Sequence, residues 1–420
     1  MRIAFFTDLY HPVISGLVEN IETSAAALRK EGHEVFIVAP KSPSYKNRDP
    51  NVFLIPSIKY NRNPEMRLIV PLPDRTMTRL LAMDLDVIHG HAGGPTCFLG
   101  WEIARRKKIP YLLTYHTRFR LYTHYVFSGK LISPRMAQIG TRIAANLSTT
   151  VVAPTKAAKQ ELLSWGVKRP IEVIAGGIDL EKFKPGQKGF LREKYNIPAE
   201  TIVLLYVGRI GIEKNIQFII KAYAQISKKA ENTVLFIVGD GPEKAKLQKL
   251  TRALKLSNKV IFTGFISMDK IAQAYADGDI FVFSSKTETQ GLVISEAMSQ
   301  GLPVVVIKDE AFEGIIVNGK TGFQTKGNIK DYSETVIKLL RDKSLRSRLG
   351  ANGRKLILKE FSSKIQAQKL VKIYKAAVKE KSSNEESNKL LRSSILKLSV
   401  FLRMNQRLNR FKQLVRLPRW

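Results

Sequence analysis

Two glutamates eight positions apart, Glu288 and Glu296, have side chains and a spacing that suit a long polar ligand. They lie in TETQGLVISEAMSQGLPVVV, residues 287–306, which predicts a polar turn that leads into an apolar helix. At a rise of about 1.5 Å per residue, the two carboxylates are roughly 12 Å apart along the helix axis. Gly291 lets backbone approach a ligand closely, and a helix N-terminus offers free N–H groups to phosphate. The segment therefore suits a sugar on one carboxylate, a diphosphate on the amides and a ribose on the other carboxylate.

Two cations and a histidine could act on the same ligand. VGRIGIEKN, residues 207–215, places Arg209 and Lys214 just past a predicted strand, where they could clamp a diphosphate and offset the charge of a leaving group. TYHTRFRLYTHY, residues 114–125, places His116 between an apolar strand and a polar turn. A histidine at the end of a buried strand can be a core residue, but the polar turn favours a position in a crevice.

Three further patterns look like metal sites, and we expect no catalytic metal at any of them. Asp84-Leu85-Asp86 and Asp277-Gly278-Asp279 each open a predicted strand, opposite the expected crevice, and are typical of helix-to-strand turns. His89, His91 and His116 have no supporting carboxylate nearby in the sequence. We also expect no cofactor, with a nucleotide sugar as donor substrate.

Short apolar runs that alternate with helical stretches must position these residues, and they predict parallel βαβ units. Strands are expected at Arg2–Phe6, Glu34–Val38, Val52–Ile55, Asp86–His89, Tyr111–Tyr115, Thr149–Ala153 and Ile171–Ile174, and in a second series at Ile202–Val207, Thr233–Val238, Val260–Phe262, Ile280–Phe283 and Pro303–Ile307. Leu17–Lys30 has apolar residues at helical spacing, and Gly32 should end that helix. The pattern predicts an α/β fold with two doubly wound domains and a site at the carboxyl ends of their strands.

The charge of the chain is high and unevenly distributed. Lys plus Arg number 69 and Asp plus Glu 36, a net charge of +33, whereas the hydrophobic share of 44% is that of a globular chain. Between Glu102 and Glu161 there are eleven basic residues and no acidic one. The segment 382–420 is also basic, and its apolar spacing predicts an amphipathic helix. An anionic partner is therefore expected.

Other classes of protein are disfavoured by composition. A single cysteine, Cys97, excludes a disulfide scaffold and a cysteine-based zinc site, and it fits a reducing compartment. No apolar run approaches the roughly 18–20 residues of a membrane-spanning helix. The first residues, MRIAFFTDLY, lack the apolar core of a signal peptide. We therefore expect a cytoplasmic protein.

The arrangement Glu-x7-Glu followed by GLPVV resembles the retaining glycosyltransferases of family 4, which have the GT-B fold of two Rossmann-like domains facing across a crevice. VGRIGIEKN, GDGPEK (residues 239–244) and FTGFIS (residues 262–267) match successive strand-end loops of that family. We accordingly expect an N-terminal acceptor domain at 1–185, a nucleotide-sugar domain at 186–360, a helix at 361–381 that crosses back toward the first domain, and the tail at 382–420 outside the match.

The resemblance also implies roles for individual residues. Glu288 and His116 would position and stabilise the transferred sugar, and Glu296 would hold the ribose. The donor phosphates would contact Gly16, Arg209, Lys214 and the amides near Thr289, Gln290, Gly291 and Leu292, while Gly264 and Phe265 would lie beside the nucleotide base. Many members have a Gly-Gly pair where this chain has Ser15-Gly16, a departure seen among lipid-modifying relatives.

Four segments, SGLVENI, YHTRFRLYTHY, RIGIEKNI and TETQGLV, look like those of bacterial diacylglycerol glucosyltransferases, which use UDP-glucose. The resemblance implies transfer of a hexose to 1,2-diacylglycerol by a peripheral enzyme on the inner face of the cell membrane. The cations expected at an anionic membrane surface are Arg105, Arg106, Lys107, Lys108, Arg118 and Arg120, interleaved with Phe119, Tyr122, Tyr125 and Phe127, together with Arg403, Arg407, Arg410 and Lys412. A tail that packs on the body is the alternative for 382–420.

Several other functions stay open at this point. Phosphatidylinositol, a glycolipid or a polysaccharide could replace diacylglycerol as acceptor, and GDP-mannose could be the donor. A sugar-nucleotide epimerase can have the same fold, and charge alone suits a nucleic-acid-binding protein. No nucleic-acid-binding motif is visible, and paired glutamates would repel a polyanion. We expect a nucleotide sugar, a membrane surface and a lipid acceptor as partners, with no nucleic acid and no partner protein.

Overall fold

The computed structural model describes residues 1–59, 67–71, 75–118, 120 and 133–380. The first half forms strands β1 Arg2–Thr7, β2 Glu34–Pro40, β3 Val52–Ile55, β4 Ser57–Lys59, β5 Arg67–Ile69, β6 Val87–His91, β7 Tyr111–Thr114, β8 Thr150–Ala153 and β9 Ile171–Val173, and helices α1 Gly16–Lys30, α2 Arg75–Ala82, α3 Pro95–Lys107, α4 Pro134–Leu147 and α5 Lys156–Ser164. Seven of the strands form a parallel sheet in the order β3-β2-β1-β6-β7-β8-β9.

The second half repeats this plan with a six-stranded parallel sheet. It forms helix α6 Phe190–Lys194, strands β10 Ile202–Val207, β11 Thr233–Val238, β12 Val260–Gly264, β13 Ile280–Phe283, β14 Val304–Ile307 and β15 Gly322–Thr325, and helices α7 Ile216–Ile226, α8 Lys244–Ala253, α9 Ile271–Ala276, α10 Leu292–Ser299, α11 Ile329–Arg341, α12 Lys343–Glu360 and α13 Ser363–Lys379. The strand order is β12-β11-β10-β13-β14-β15. In both halves the order reverses beside the first strand, so the predicted pair of doubly wound α/β domains is confirmed.

The first sheet has a core on each face, because successive side chains of a strand point to opposite sides. Ile3 and Phe5 of β1 pack in one cluster with apolar residues of α1 and α13, while Ala4 and Phe6 pack in the other with residues of α3. Close packing extends to the backbone at Gly100, where a Cβ would lie 2.6 Å from the Phe6 ring. Helices therefore cover both faces of this sheet.

Helix α1 begins and ends as its sequence predicts. Ser15 caps it by accepting a hydrogen bond from the Val18 N–H at 3.3 Å, and Gly32 follows it with a φ of +84°. The C-terminal helix α13 packs against α1, where Ser24 Oγ donates to Gln366 Oε1 at 2.9 Å. The last described helix therefore returns to the first half of the chain.

Three short strands, β4, β5 and β15, are not predicted by the sequence pattern. β4 and β5, of three residues each, pair with each other in an antiparallel ribbon, and their side chains are partly or fully exposed, so they lack the pattern of a buried strand. β15 begins with Gly322, whose bare backbone lies so close to β14 that a Cβ would meet Val304 Cγ2 at 2.5 Å. A strand of three or four residues without an apolar run gives little periodic signal.

No helix among the described residues is long and apolar enough to cross a membrane. The predicted amphipathic tail, with Arg403, Arg407, Arg410 and Lys412, lies outside the described residues, as do Phe119, Tyr122, Tyr125 and Phe127.

The Asp277-Gly278-Asp279 turn has a structural role at the amino end of β13, as its sequence predicts. Buried Asp277 accepts hydrogen bonds from the Gly189 N–H at 2.6 Å and the Leu191 N–H at 2.5 Å. Asp279 accepts from the Val203 N–H and from Arg192 Nη2, both at 2.8 Å. These carboxylates thus hold helix α6 and the start of β10 at the amino end of β13.

Replacing Asp279 with alanine should lower the free energy of unfolding by about 2–3 kcal/mol, because largely buried Arg192 and the Val203 N–H would lose their partner. Urea unfolding measures the change, with exposed Asp84→Ala as the near-neutral control. If the Asp277-Gly278-Asp279 turn held a metal ion, Asp279→Ala would remove the heat of Mn²⁺ binding. We expect titration calorimetry with Mn²⁺ to give the same heat for wild type and Asp279→Ala. Loss of a Mn²⁺ signal without loss of stability would contradict the structural role.

Candidate active site

Loops at the carboxyl ends of the two sheets meet, and the side chain of Gln290 joins them. Gln290 Oε1 accepts a hydrogen bond from the Gly176 N–H at 2.7 Å, and its Nε2 donates to the Gly176 carbonyl at 2.9 Å. Thr155 Oγ1 donates to the Thr289 carbonyl at 3.3 Å nearby. A Cβ on residue 176 would lie 2.3 Å from Asn20 Nδ2, so a larger residue there would have to displace the buried Asn20 side chain. The Gln290 side chain is thus committed to Gly176, and the Gln290 backbone amide, the group expected to contact the donor, is left for a ligand.

Helix α10 starts where the sequence predicts, between the two glutamates. Gly291 precedes it with a φ of +76°, a left-handed conformation that favours glycine, and a Cβ there would lie 3.0 Å from Phe312 Cε1. Leu292 Cδ1 lies 3.8 Å from where a Cβ on Gly16 would be, so the exposed N-terminus of α1 adjoins that of α10. Two helix N-termini, one from each half, therefore border the same space.

Lys214 and Glu288 form a partly buried ion pair, with Lys214 Nζ 2.6 Å from Glu288 Oε1. Lys214 ends a short 3-10 turn, and the Ser284 hydroxyl ties that turn to the end of β13 by donating to the Lys214 carbonyl at 3.0 Å. The more exposed Arg209 lies 4.0 Å from Glu213. The structure therefore brings three of the residues singled out by sequence, Arg209, Lys214 and Glu288, to one edge of the second sheet.

Glu296 is buried inside α10 and accepts a hydrogen bond from the Tyr275 hydroxyl at 2.7 Å. Desolvation raises the pKa of Glu296 to about 7, with a further upward contribution from the charge of Glu19. Lys182, which pairs with Glu19, lowers the same pKa. A buried carboxyl with an elevated pKa near a crevice is typical of a functional group.

The three histidines come together at the carboxyl ends of β6 and β7. His91 Nδ1 lies 2.9 Å from His116 Nε2, and the rings of His89 and His91 are 4.4 Å apart. Burial lowers the pKa of His116 to about 3, so its imidazole is neutral at physiological pH. Among the described residues, no group of three or more His, Cys, Asp or Glu side chains has an arrangement that could hold a metal ion.

Arg118 belongs to the crevice and not to an exposed cationic surface. Its side chain is only 13% exposed. Arg118 Nε lies 3.1 Å from Glu161 Oε2, and its Nη1 lies 4.0 Å from Oδ1 of Asp309 in the second half. This position corrects its assignment to a membrane surface. Asp309 follows β14, and burial raises the pKa of its carboxyl. The sequence analysis did not single out Asp309, although its place directly after a predicted strand was a usable signal.

Some of the other cations predicted to lie at a membrane surface have partners within the first half of the chain. Arg105 and Arg106 both pair with Glu102, at 2.8 Å and 2.7 Å. Lys107 Nζ donates to the carbonyl of Leu81, in the last turn of α2, and to that of Met83, just after the helix. Lys108 and Arg120 are exposed. The described part of the stretch between Glu102 and Glu161 therefore presents less net charge to solvent than a count of its basic residues indicates.

The loop expected beside the nucleotide base lies at the carboxyl end of the second sheet, and a cavity lies at the carboxyl end of the first sheet. Gly264 ends β12 with a φ of +73°, and Phe265 after it is 50% exposed. In the first half, a cavity of about 310 Å³ opens beside β1 and β2, and Tyr10, Ser42 and Arg67 are among the residues that line it. The site thus combines a polar crevice with a separate recess on the N-terminal side.

Two family models match the chain in tandem. The model described as Glycosyltransferase Family 4 matches residues 14–182, and the one described as Glycosyl transferases group 1 matches residues 187–356. The chain belongs to glycosyltransferase family 4.

Known members of family 4 and a solved structure are similar to most of the chain. The alpha-monoglucosyldiacylglycerol synthase of Streptococcus pneumoniae is 34% identical over 73% of this chain and 70% of its own length. The enzyme of the same name from Acholeplasma laidlawii is 31% identical over 77% and 84%. The Anabaena protein Alr3699/HepE, solved in complex with UDP, has a TM-score of 0.72 at 20% identity and covers 90% of this chain and 100% of that one. This likeness shows the GT-B fold.

In this family 4 glycosyltransferase, Glu288→Gln should lower turnover by about 100-fold or more, because the amide keeps an acceptor for Lys214 but removes the charge. Stability should change little. The measurements are the kcat for glycosyl transfer and urea unfolding, with the surface carboxylate Glu34, 3.4 Å from Arg2, as matched control in Glu34→Gln. Wild-type turnover in Glu288→Gln would overturn the assignment.

Glu296→Gln should stabilise the fold at pH 8 but not at pH 5. The unfolded carboxyl ionises near 4.5 and the folded one near 7, so wild-type stability falls as pH rises through this range. A glutamine side chain does not ionise, so the free energy of unfolding of Glu296→Gln should exceed that of wild type by about 1–3 kcal/mol at pH 8. Urea unfolding at both pH values, with Glu334→Gln on the exposed surface of α11 as control, checks the difference. An equal effect at pH 5 and pH 8 would contradict it.

Proposed function

We propose that this glycosyltransferase moves glucose from UDP-glucose to 1,2-diacylglycerol and retains the α-configuration. The observation that carries the proposal is the Lys214–Glu288 ion pair beside the N-terminus of α10, with buried Glu296 farther along the same helix. Similarity to two alpha-monoglucosyldiacylglycerol synthases supports the donor sugar and the acceptor. The UDP complex of the Anabaena protein supports a uridine nucleotide.

The proposed reaction exchanges one bond at the anomeric carbon for another. The bond to the diphosphate oxygen breaks, a bond to the lipid hydroxyl oxygen forms on the same face of the sugar, and the hydroxyl proton passes to the departing diphosphate. Arg209, Lys214 and the amides near Gln290 and Leu292 offset the charge that develops on the leaving group. No metal ion is needed for this step, because these groups supply the positive charge.

Glu288 and His116 hold the sugar in this proposal. The carboxylate of Glu288 stabilises positive charge at the anomeric centre, while a neutral His116 can bond a sugar oxygen without adding charge there. Glu296 accepts from the ribose hydroxyls, and this contact favours its ionised form. Phe265, half exposed beside Gly264, provides an apolar surface for the base.

The N-terminal half supplies the acceptor side and the membrane contact in this proposal. The cavity beside β1 and β2 places Lys59, Arg67 and Tyr10 around a space that suits a polar lipid headgroup. Helix α4 exposes Met136 and Ile139 together with Arg135 and Arg142, although its other residues are mostly half-buried. Apolar and cationic side chains on one exposed helix suit the interface of an anionic bilayer. The enzyme would then act as a peripheral protein on the inner face of the membrane.

Incubation of the purified chain with anionic vesicles that contain diacylglycerol should yield a new glycolipid with UDP-glucose. Parallel reactions with UDP-galactose and GDP-mannose, and vesicles with phosphatidylinositol, test the other donors and acceptors. Lipid chromatography detects the product, NMR of the anomeric proton gives its configuration, and Glu288→Gln is the inactive control. A chelator should leave the rate unchanged. Absence of glycolipid with every donor would overturn the lipid assignment, and a β-linked product would overturn retention.

A further inference from the structure

His91 packs against His116 and is almost completely buried, with 2% of its surface exposed. Its Nδ1 lies 2.9 Å from His116 Nε2, and the two rings are nearly parallel, with an angle of 24° and centroids 5.1 Å apart. The other nitrogen of His91, Nε2, is buried and has no hydrogen-bond partner among the described residues. His116 Nε2 is therefore committed to His91, and His116 Nδ1 is the nitrogen left for a ligand.

The single proton between the two rings can lie on either nitrogen. Burial lowers the pKa of both histidines, so each ring is neutral and carries one N–H and one bare nitrogen. If His116 Nε2 carried the shared proton, the N–H of His91 would be on Nε2, buried without an acceptor. Among backbone groups, buried N–H groups without a partner are rarer than under-satisfied acceptors, and the same desolvation cost disfavours this arrangement. The other arrangement leaves only a bare ring nitrogen unpaired.

We propose that His91 is a positioning residue whose Nδ1–H donates to His116 Nε2 and so directs the Nδ1–H of His116 into the crevice as a donor to an oxygen of the transferred sugar. The hydrogen bond that one ring nitrogen makes sets the protonation of the other. The sugar contact rests on the proposed function, whereas the tautomer of His116 does not. The pair therefore presents a fixed, uncharged donor.

His89 lies in the same row but has separate partners. Its Nδ1 lies 2.6 Å from the Tyr374 hydroxyl of α13, and its Nε2 lies 2.7 Å from Thr114 Oγ1. Both nitrogens of His89 are thus occupied, so it shares no proton with His91. A substitution of His89 disturbs the same buried region without removing the bond to His116.

Nitrogen-15 NMR of histidine-labelled protein tests the tautomer without any substrate. The chain has six histidines, and the His116 signals are identified by their absence in His116→Gln. We expect His116 to show the Nδ1–H tautomer and His91 likewise. A His116 that carries its proton on Nε2, or that exchanges between the two tautomers, would overturn the proposal. This result stands whether or not the chain proves to transfer glucose.

Kinetics of three variants test the effect on transfer. His91→Leu removes the donor and should lower kcat by about 10- to 100-fold with a smaller change in KM for the donor. His91→Asn keeps an N–H near the position of Nδ1 and should restore kcat to within a few-fold of wild type. His89→Leu is the control, with lower stability in thermal unfolding but near-wild-type kcat. Equal losses of kcat in all three variants, in proportion to stability, would show a merely structural role and overturn the proposal.

Discussion

Two hydrogen bonds between the side-chain amide of Gln290 and the backbone of Gly176 join the loops from which the site is built. Gln290 lies between Glu288 and α10 in the second half of the chain. Its bonds to Gly176 therefore hold Glu288 and the start of α10 against the N-terminal half. A parallel sheet sends all of its strand-end loops to one edge, and two such edges must meet to enclose a ligand. Glycine at 176 suits this contact, because a Cβ there would lie 2.3 Å from Asn20 Nδ2 and would displace the Asn20 side chain.

The site keeps charged groups in partly buried positions, and such an arrangement opposes stability. Lys214 and Glu288 neutralise one another at 2.6 Å. The Glu296 carboxylate has only the Tyr275 hydroxyl as a hydrogen-bond partner among the described residues, and burial raises its pKa to about 7. A folded domain gains nothing from a carboxyl that resists ionisation, so the position is best explained by a ligand that supplies further donors.

The surface charge has a narrower meaning in the structure than in the composition. A net charge of +33 suggests a broad cationic surface for an anionic partner, but Arg118 turns inward to Glu161 and Asp309, and Arg105 and Arg106 share the single carboxylate of Glu102. In the described part of the acid-free stretch, the exposed cations are Arg105, Arg106, Lys108, Arg120, Arg135, Arg142 and Lys156. The membrane contact of the proposed function would use α4, where exposed Met136 and Ile139 lie on the same helix as exposed Arg135 and Arg142.

The sequence by itself determined the two doubly wound sheets and the placement of Glu288, Gly291 and Glu296 around one helix start. Buried parallel strands such as Ile202–Val207 read as continuous apolar runs, and a motif within one segment keeps its geometry when that segment folds. Only the tertiary structure decided that Gln290 binds Gly176, that Arg118 reaches Asp309 and that His91 holds His116. Those contacts join residues 25 to 191 positions apart in the sequence. The periodicity of a segment predicts which face of its helix or strand a side chain occupies, but it does not predict which distant atom lies within hydrogen-bonding distance.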